Sequence, residues 1–161
     1  MKQEKSKISV LMSVYKKENP EYLRASLESI LVQTRTADEI LLIEDGPLTQ
    51  ELYQVVAEYQ KKCDYLHVHA MEQNVQLGRA LAKGVELCQY DLIARMDTDD
   101  IAMPDRLEKE EAYMEAHPEV DVVGGAIREF NDEGTIDRVK NMPKTQEEIL
   151  EYVKVRNPLN H

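Results

Sequence analysis

Apolar residues recur along this chain in two alternating rhythms. Ile8-Ser9-Val10-Leu11-Met12-Ser13-Val14 is short, β-rich and apolar almost throughout, as a strand covered on both faces reads. Leu23, Leu27, Ile30 and Leu31 then fall at helical spacing, with Pro20 near the start of the helix they predict. Residues 39–44, Glu-Ile-Leu-Leu-Ile-Glu, predict a second strand that runs into the turn signal Asp45-Gly46-Pro47. Leu52, Val55, Val56 and Tyr59 mark a second helix, and residues 65–70 a third strand. Leu77, Leu81, Val85 and Cys88 form the stripe of a third helix, for which Asn74 to Cys88 is the expected span.

A fourth strand is predicted over residues 90–96, leading straight into Asp97-Thr98-Asp99-Asp100. Pro104 precedes Asp105-Arg106-Leu107-Glu108, which predicts a capping box at the head of another helix. Val120 to Ala126 reads as a fifth strand, with Gly124-Gly125 inside or just after it, and Glu147 to Val155 as a last helix. Regular β-α-β-α alternation predicts an α/β fold: a mostly parallel, Rossmann-like sheet with helices on both faces. Ligands of such sheets bind beyond the carboxyl ends of the strands. That rule selects Ser13-Val14-Tyr15, Glu44-Asp45-Gly46 and Asp97-Thr98-Asp99-Asp100, and expects the acids to gather on one rim.

Composition narrows the partners. The chain has 161 residues, 42% of them hydrophobic, which fits one domain with a real core. Its 31 acids against 20 Lys and Arg give a formal net charge of -11. Such a surface repels a phosphate backbone, so nucleic acid is not an expected partner. An acidic protein that binds an anionic ligand needs a local device against repulsion, and a divalent cation supplies one. Cys63 and Cys88 lack zinc-like or redox-like spacing and are expected as reduced thiols. Met1 to Lys7 is polar, without the apolar stretch of a signal peptide, and no run approaches the roughly 20 apolar residues of a membrane span. A cytoplasmic location is expected, with membrane association only through further segments.

The acid turn carries the strongest chemical signal. Three carboxylates in four residues repel one another, a cost that a hard cation removes. Mg2+ or Mn2+ takes one or two carboxylates and leaves positions for phosphate oxygens. The bland alternative is a solvated acidic turn before a helix; its place at a strand end favours the ligand reading. A calcium loop starting at Asp97 fails, because Ala102 stands where glycine is needed and Pro104 intrudes. A carboxylate of Glu44-Asp45 suits an imide N–H or a ribose hydroxyl, or is an ordinary polar turn. Ser13 and Tyr15 offer a hydroxyl and a flat ring to a base, or are rim residues. Asn74, Gly78 and Arg79 stand at the front of the third helix, where a helix N-terminus and an arginine suit diphosphate. The spacing is not that of a dinucleotide loop. His67 and His69 share a strand face, an arrangement more often plain surface than a metal site.

Taken together, Ile8 to Tyr15, Leu42-Ile43-Glu44-Asp45-Gly46, Asn74-x-x-x-Gly78, Ala94 to Asp100, Met103-Pro104-x-Arg106-Leu107 and Asn157 to His161 resemble the family 2 glycosyltransferases of GT-A fold. The resemblance runs from residue 8 to the last residue, with several motifs in order. It implies inverting transfer of a sugar from a nucleoside-diphosphate donor, usually UDP-linked, to a glycan or lipid-linked acceptor. It implies nucleotide-sugar contacts from Ser13, Val14 and Tyr15, from Asp45 at the base, from Asn74, Gly78 and Arg79, and from Asp97 and Thr98. Asp97 and Asp99 are the implied ligands of Mn2+ or Mg2+. The family's general base, an Asp or Glu well downstream of the acid turn, has no match: Asp121, Glu129, Asp132 and Glu133 fall too early. Residues 1–161 are thus expected to be the donor half of a truncated domain, inactive alone, with the acceptor half beyond His161.

Three other readings are open to test. A non-enzymatic nucleotide- or partner-binding module would be complete at His161. A phosphoacceptor receiver domain needs an acidic pair after the first strand, where this chain has Ser13-Val14-Tyr15. A sugar nucleotidyltransferase needs a glycine-rich loop there.

Overall fold

The computed structural model describes residues 6–131 and 136–159. Met1 to Lys5, Asp132, Glu133, Asn160 and His161, which enter the expectations above, lie outside the described residues. The element order is β1 (Ile8–Val14), α1 (Pro20–Leu31), β2 (Glu39–Glu44), α2 (Gln50–Lys62), β3 (Leu66–Ala70), α3 (Leu77–Leu87), β4 (Leu92–Asp97), α4 (Arg106–Ala116), β5 (Ile127–Phe130), β6 (Asp137–Lys140) and α5 (Gln146–Tyr152). Two compact units divide the chain, Met1–Glu111 and Ala112–His161.

The first unit holds a parallel four-stranded sheet in the order β3-β2-β1-β4. Side-chain alternation decides which face each residue serves. Ile8, Val10, Met12 and Val14 of β1 join Ile40, Leu42, Leu66 and Met96 in one core with Leu23, Leu27 and Ile30 of α1 and Leu52, Val55, Val56 and Tyr59 of α2. Leu11, Leu41 and Ile43 point the other way and meet Ala80 of α3. This second interface is close: a Cβ on Gly84 would stand 2.3 Å from Leu11 Cδ1. Helices therefore cover both faces, as the uninterrupted apolar strands predict.

Local chemistry sets the helix starts. Asn19 caps α1 by accepting from the Glu21 N–H, with Pro20 inside the first turn, and Thr49 caps α2 by accepting from the Leu52 N–H. The predicted capping box at α4 does not form as expected: the helix begins at Arg106, and the Asp105 carboxylate pairs with Lys109 at 2.5 Å. A capping box closes α5 instead, between Thr145 and Glu148, and that helix ends at Tyr152 rather than Val155. The third helix starts at Leu77, so Asn74 stands in the loop ahead of it.

The fifth strand also differs from expectation. Residues 120–126 are not a strand, and Val122 is exposed. Gly124 and Gly125 have no side chain to bury, and an apolar run without a partner ladder has no reason to extend. Strand structure begins at Ile127, where β5 pairs antiparallel with β6 through Ile127 opposite Lys140 and Phe130 opposite Asp137. Both cysteines are free. Among the described residues, no helix is long and apolar enough to cross a membrane.

Candidate functional site

In the sheet order β3-β2-β1-β4 the chain runs outward from β1 to β3 and then crosses back to β4. The switch point therefore lies between β1 and β4, where open α/β sheets place their ligands. Ser13 is the register partner of Asp97 there, and of Ile43 on the other side. The sheet thus delivers the end of β1 and the acid turn to one place.

The backbone of the acid turn is fastened to α1. Ser26 Oγ donates to the Asp97 carbonyl at 2.9 Å. Ser29 Oγ accepts from the Ala102 N–H at 3.0 Å while donating to the Ser26 carbonyl. The Gln33 amide donates to the carbonyls of Ser29 and Met103 at 3.0 and 2.7 Å, and its oxygen accepts from the Leu107 N–H at 3.1 Å. The Thr34 N–H donates to the Pro104 carbonyl. At the front, the buried Thr98 hydroxyl lies 2.6 Å from Glu18 Oε2 and 3.3 Å from the Ser13 carbonyl. Arg106 ties the head of α4 to β4 by donating to the Arg95 carbonyl at 3.0 Å. Sequence reading missed Glu18, Ser26, Ser29 and Gln33. The signal was available: Ser26, Ser29 and Gln33 repeat at i, i+3 and i+7, a buried polar stripe beside the apolar one.

The carboxylates of the turn differ in environment. Asp97 accepts an ion pair from Arg95. Asp99 is exposed and makes no side-chain bond to the described residues. The Asp100 carboxyl is held above its usual range, first by desolvation and then by repulsion from Asp99 and Asp97, with Arg95 and Arg106 opposing. Among the described residues, no three His, Cys, Asp or Glu side chains converge on a preformed metal cage. The two ligand positions expected from the sequence, Asp97 and Asp99, remain a hard-oxygen pair. That number suits Mg2+ or Mn2+ when water and phosphate oxygens complete the shell. The residues fit an open site assembled together with a ligand.

The other expected contacts divide. Tyr15 is exposed on the rim and Ser13 is half-buried, whereas the Val14 side chain is sealed in the core and can contribute only backbone. Asp45 is 4% exposed and its carboxylate is engaged. One oxygen accepts from the Val75 N–H at 2.6 Å, the other from Asn74 Nδ2 at 2.9 Å. Asp45 and Asn74 therefore form a clamp between the β2 and β3 loops. Gly46 completes it: φ is +82°, and a Cβ would stand 2.5 Å from the Asn74 nitrogen. Beyond the clamp, Gln76 takes φ 74° and ψ 152°, a conformation that costs a non-glycine residue of order 1–3 kcal/mol, and α3 starts without a side-chain cap. Gly78 and Arg79 at its front are exposed, and the Arg79 guanidinium has no partner among the described residues. Glu44, beside the clamp, is buried, and desolvation raises its carboxyl above the usual range.

A shallow depression of about 410 Å³ opens at the end of β3, lined by His69, Ala70, Met71, Glu72, Gln73, Val75 and Lys83. Another, of about 590 Å³, lies in the second unit along Asn141 to Pro143 and α5. Neither is lined by the acid turn, which follows the edge strand β4. His67 and His69 share a face of β3 without a third ligand among the described residues.

Comparison with known proteins bears on this geometry. The sequence profile described as Glycosyl transferase family 2 matches residues 9–160. The chain is 44% identical over 153 residues to the amylovoran biosynthesis glycosyltransferase AmsE of Erwinia amylovora, covering 95% of this chain and 57% of that protein. It is 35% identical over 167 residues to the UDP-Gal:alpha-D-GlcNAc-diphosphoundecaprenol beta-1,3-galactosyltransferase of Escherichia coli, covering 100% and 58%. Its fold matches the mannosyltransferase PcManGT of Pyrobaculum calidifontis, solved in complex with GDP-Man and Mn2+, with a TM-score of 0.62 at 15% identity over 78% of this chain and 35% of that one. The chain spans little more than half the length of the two sequence relatives.

Proposed function

Because the chain belongs to glycosyl transferase family 2, we propose that residues 1–161 bind the donor, a nucleoside-diphosphate sugar, for an inverting, divalent-metal-dependent sugar transfer. The observation that carries this reading is the acid turn. It lies at the β1/β4 switch point, with its backbone fastened by Ser26, Ser29 and Gln33 while Asp99 faces outward. A turn held this firmly and left this acidic suits a ligand that brings positive charge with it.

Asp97 and Asp99 are the residues that would hold Mn2+ or Mg2+. When bound, the cation supplies neutralisation of the charge on the diphosphate as the sugar leaves. Ser13 and Tyr15 line the rim for the base and ribose, Thr98 fixes the first turn after β4, and Arg79 at the exposed head of α3 offers a second cation to the diphosphate. Asp45, Asn74 and Gly78 act through the loop that carries Arg79 more than by direct contact. A uridine donor is supported by the name of the Escherichia coli relative, which specifies UDP-Gal and a diphosphoundecaprenol-linked acceptor. The relative from amylovoran biosynthesis supports a role in polysaccharide assembly. We place the reaction on the cytoplasmic side, with any membrane contact through the acceptor.

Inversion needs a base that takes the acceptor's proton as its hydroxyl attacks. In this reading that base and the acceptor site belong to the part of the relatives that the chain does not span, so residues 1–161 bind donor without turning it over. Titration calorimetry with UDP, with and without Mn2+, tests the proposal. Metal-dependent binding that Asp99→Ala weakens about tenfold or more is the expected result. Equal affinity in both proteins, or better binding of GDP than UDP, would overturn the metal site or the choice of base respectively.

A further inference from the structure

Asp97 already has a cationic partner. Arg95 and Asp97 are two residues apart on β4 and so share a face, and Arg95 Nη2 donates to Asp97 Oδ1. The two side chains are 22% and 23% exposed, a pair that is largely desolvated. Arg95 Nη1 is buried and, among the described residues, has no hydrogen-bond acceptor. Half of the guanidinium fork is therefore in use. A buried donor left unmet carries a desolvation penalty, larger when charged, which calls for an acceptor that arrives in another state. Arg106 does not substitute for Arg95, because its guanidinium goes to Glu110, to the Arg95 carbonyl and to Met96 Sδ.

We propose that Arg95 is an internal counter-ion of the acid turn, withholding Asp97 from a lone divalent cation and releasing it when a cation arrives together with a nucleoside diphosphate. The proposal rests on the donor-site reading above. A cation alone must displace the guanidinium and leave both terminal nitrogens without acceptors. A cation that comes with a diphosphate brings phosphoryl oxygens, which match the planar fork two at a time. Metal and nucleotide then bind with positive coupling, and the coupling is reciprocal. Lysine in this place would keep the charge and lose the fork.

The test is Mn2+ titrated into the 161-residue protein, with the free ion read by electron paramagnetic resonance, in the presence and absence of UDP. In the wild type, UDP is expected to tighten Mn2+ binding about tenfold or more. Arg95→Met should bind Mn2+ alone roughly fivefold to tenfold more tightly, and UDP should then add about twofold or less. Arg95→Lys should leave Mn2+ alone as weak as in the wild type and still lose most of the UDP enhancement. A merely structural arginine would weaken both kinds of binding together. Unchanged or weaker Mn2+ binding by Arg95→Met, or full UDP enhancement in either variant, overturns the counter-ion role. If circular dichroism shows Arg95→Met unfolded, the enhancement in Arg95→Lys decides alone. A wild type that binds no Mn2+ even with UDP overturns the donor-site reading itself, and the counter-ion role with it.

Discussion

Replacing Gln33 by alanine removes the side chain that joins α1 to the segment carrying the acids. Gln33 is 5% exposed and makes three bonds: to the Ser29 carbonyl, the Met103 carbonyl and the Leu107 N–H. They are not equal. Met103 is 68% exposed, so water can replace the amide at its carbonyl, whereas the Ser29 carbonyl lies in the buried last turns of α1. Leu107 is 1% exposed and its N–H belongs to the first turn of α4, which has no intrahelical acceptor for it. Leaving that donor unmet costs about 1–3 kcal/mol, and the two carbonyls, one buried and one hydrated, add about 1 kcal/mol between them. The expected loss is about 2–4 kcal/mol, read as a lower urea midpoint with an unchanged slope. For a chain of this size each kcal/mol lowers the melting temperature by about 2–4 °C. Gln33→Glu separates the bonds: its carboxylate still accepts from Leu107 but no longer donates to Met103, and it buries a charge. UDP binding with Mn2+ should fall in both variants, because the acid turn loses its anchor. A stability loss below about 0.5 kcal/mol for Gln33→Ala would refute the view that this amide holds the turn.

Glu44 provides a pH test. Its folded carboxyl titrates above the ordinary range because burial disfavours the charge, so the folded state keeps its proton longer than the unfolded chain. Stability from this group falls as pH rises through the unfolded and then the folded value, and Glu44→Gln should raise stability at neutral pH while leaving it nearly unchanged well below pH 4; equal effects at both pH values in urea titrations would contradict the assignment. Gly46→Ala should cost about 2–4 kcal/mol, since φ is +82° and the new Cβ would meet the Asn74 nitrogen at 2.5 Å. Gly78→Ala, where a Cβ meets nothing within 4 Å, should be neutral or stabilising by up to about 1 kcal/mol; a loss comparable to that of Gly46→Ala would show that α3 packs otherwise. Arg79→Ala should leave the urea midpoint in place and weaken UDP binding about threefold to tenfold, whereas unchanged affinity would remove Arg79 from the diphosphate site.

The sheet was legible because its two central strands, β1 and β2, are apolar on both faces and its helices on one. Ile8 to Val14 and Glu39 to Glu44 cannot be satisfied unless covered twice, and α1, α2 and α3 supply the covers. The acid turn was legible because an apolar stretch gives way to polar residues there: Asp97 closes the half-buried β4, and Thr98, Asp99 and Asp100 follow it. What escaped depends on pairing across distance. The stripe of Ser26, Ser29 and Gln33 has meaning only once residues 97–107 are folded over it. The sequence marks Asp45 as a ligand contact, but not that the loop ahead of α3 also donates to both of its oxygens. Residues 120–126 have the β-rich composition of a strand, but no neighbouring ladder among the described residues offers hydrogen bonds, and pairing begins one residue later. Asp105 could have capped α4, but a lysine four residues on holds its carboxylate.

The most direct measurement is anomalous scattering at the manganese edge from a crystal of the protein grown with Mn2+ and UDP. One strong peak is expected at about 2.0–2.6 Å from a carboxylate oxygen of Asp99, beside the diphosphate and next to Ser13 at the β1/β4 junction. A nucleotide bound elsewhere, or a peak absent from the acid turn while UDP occupies the rim, would contradict the assignment of these acids to the donor's metal.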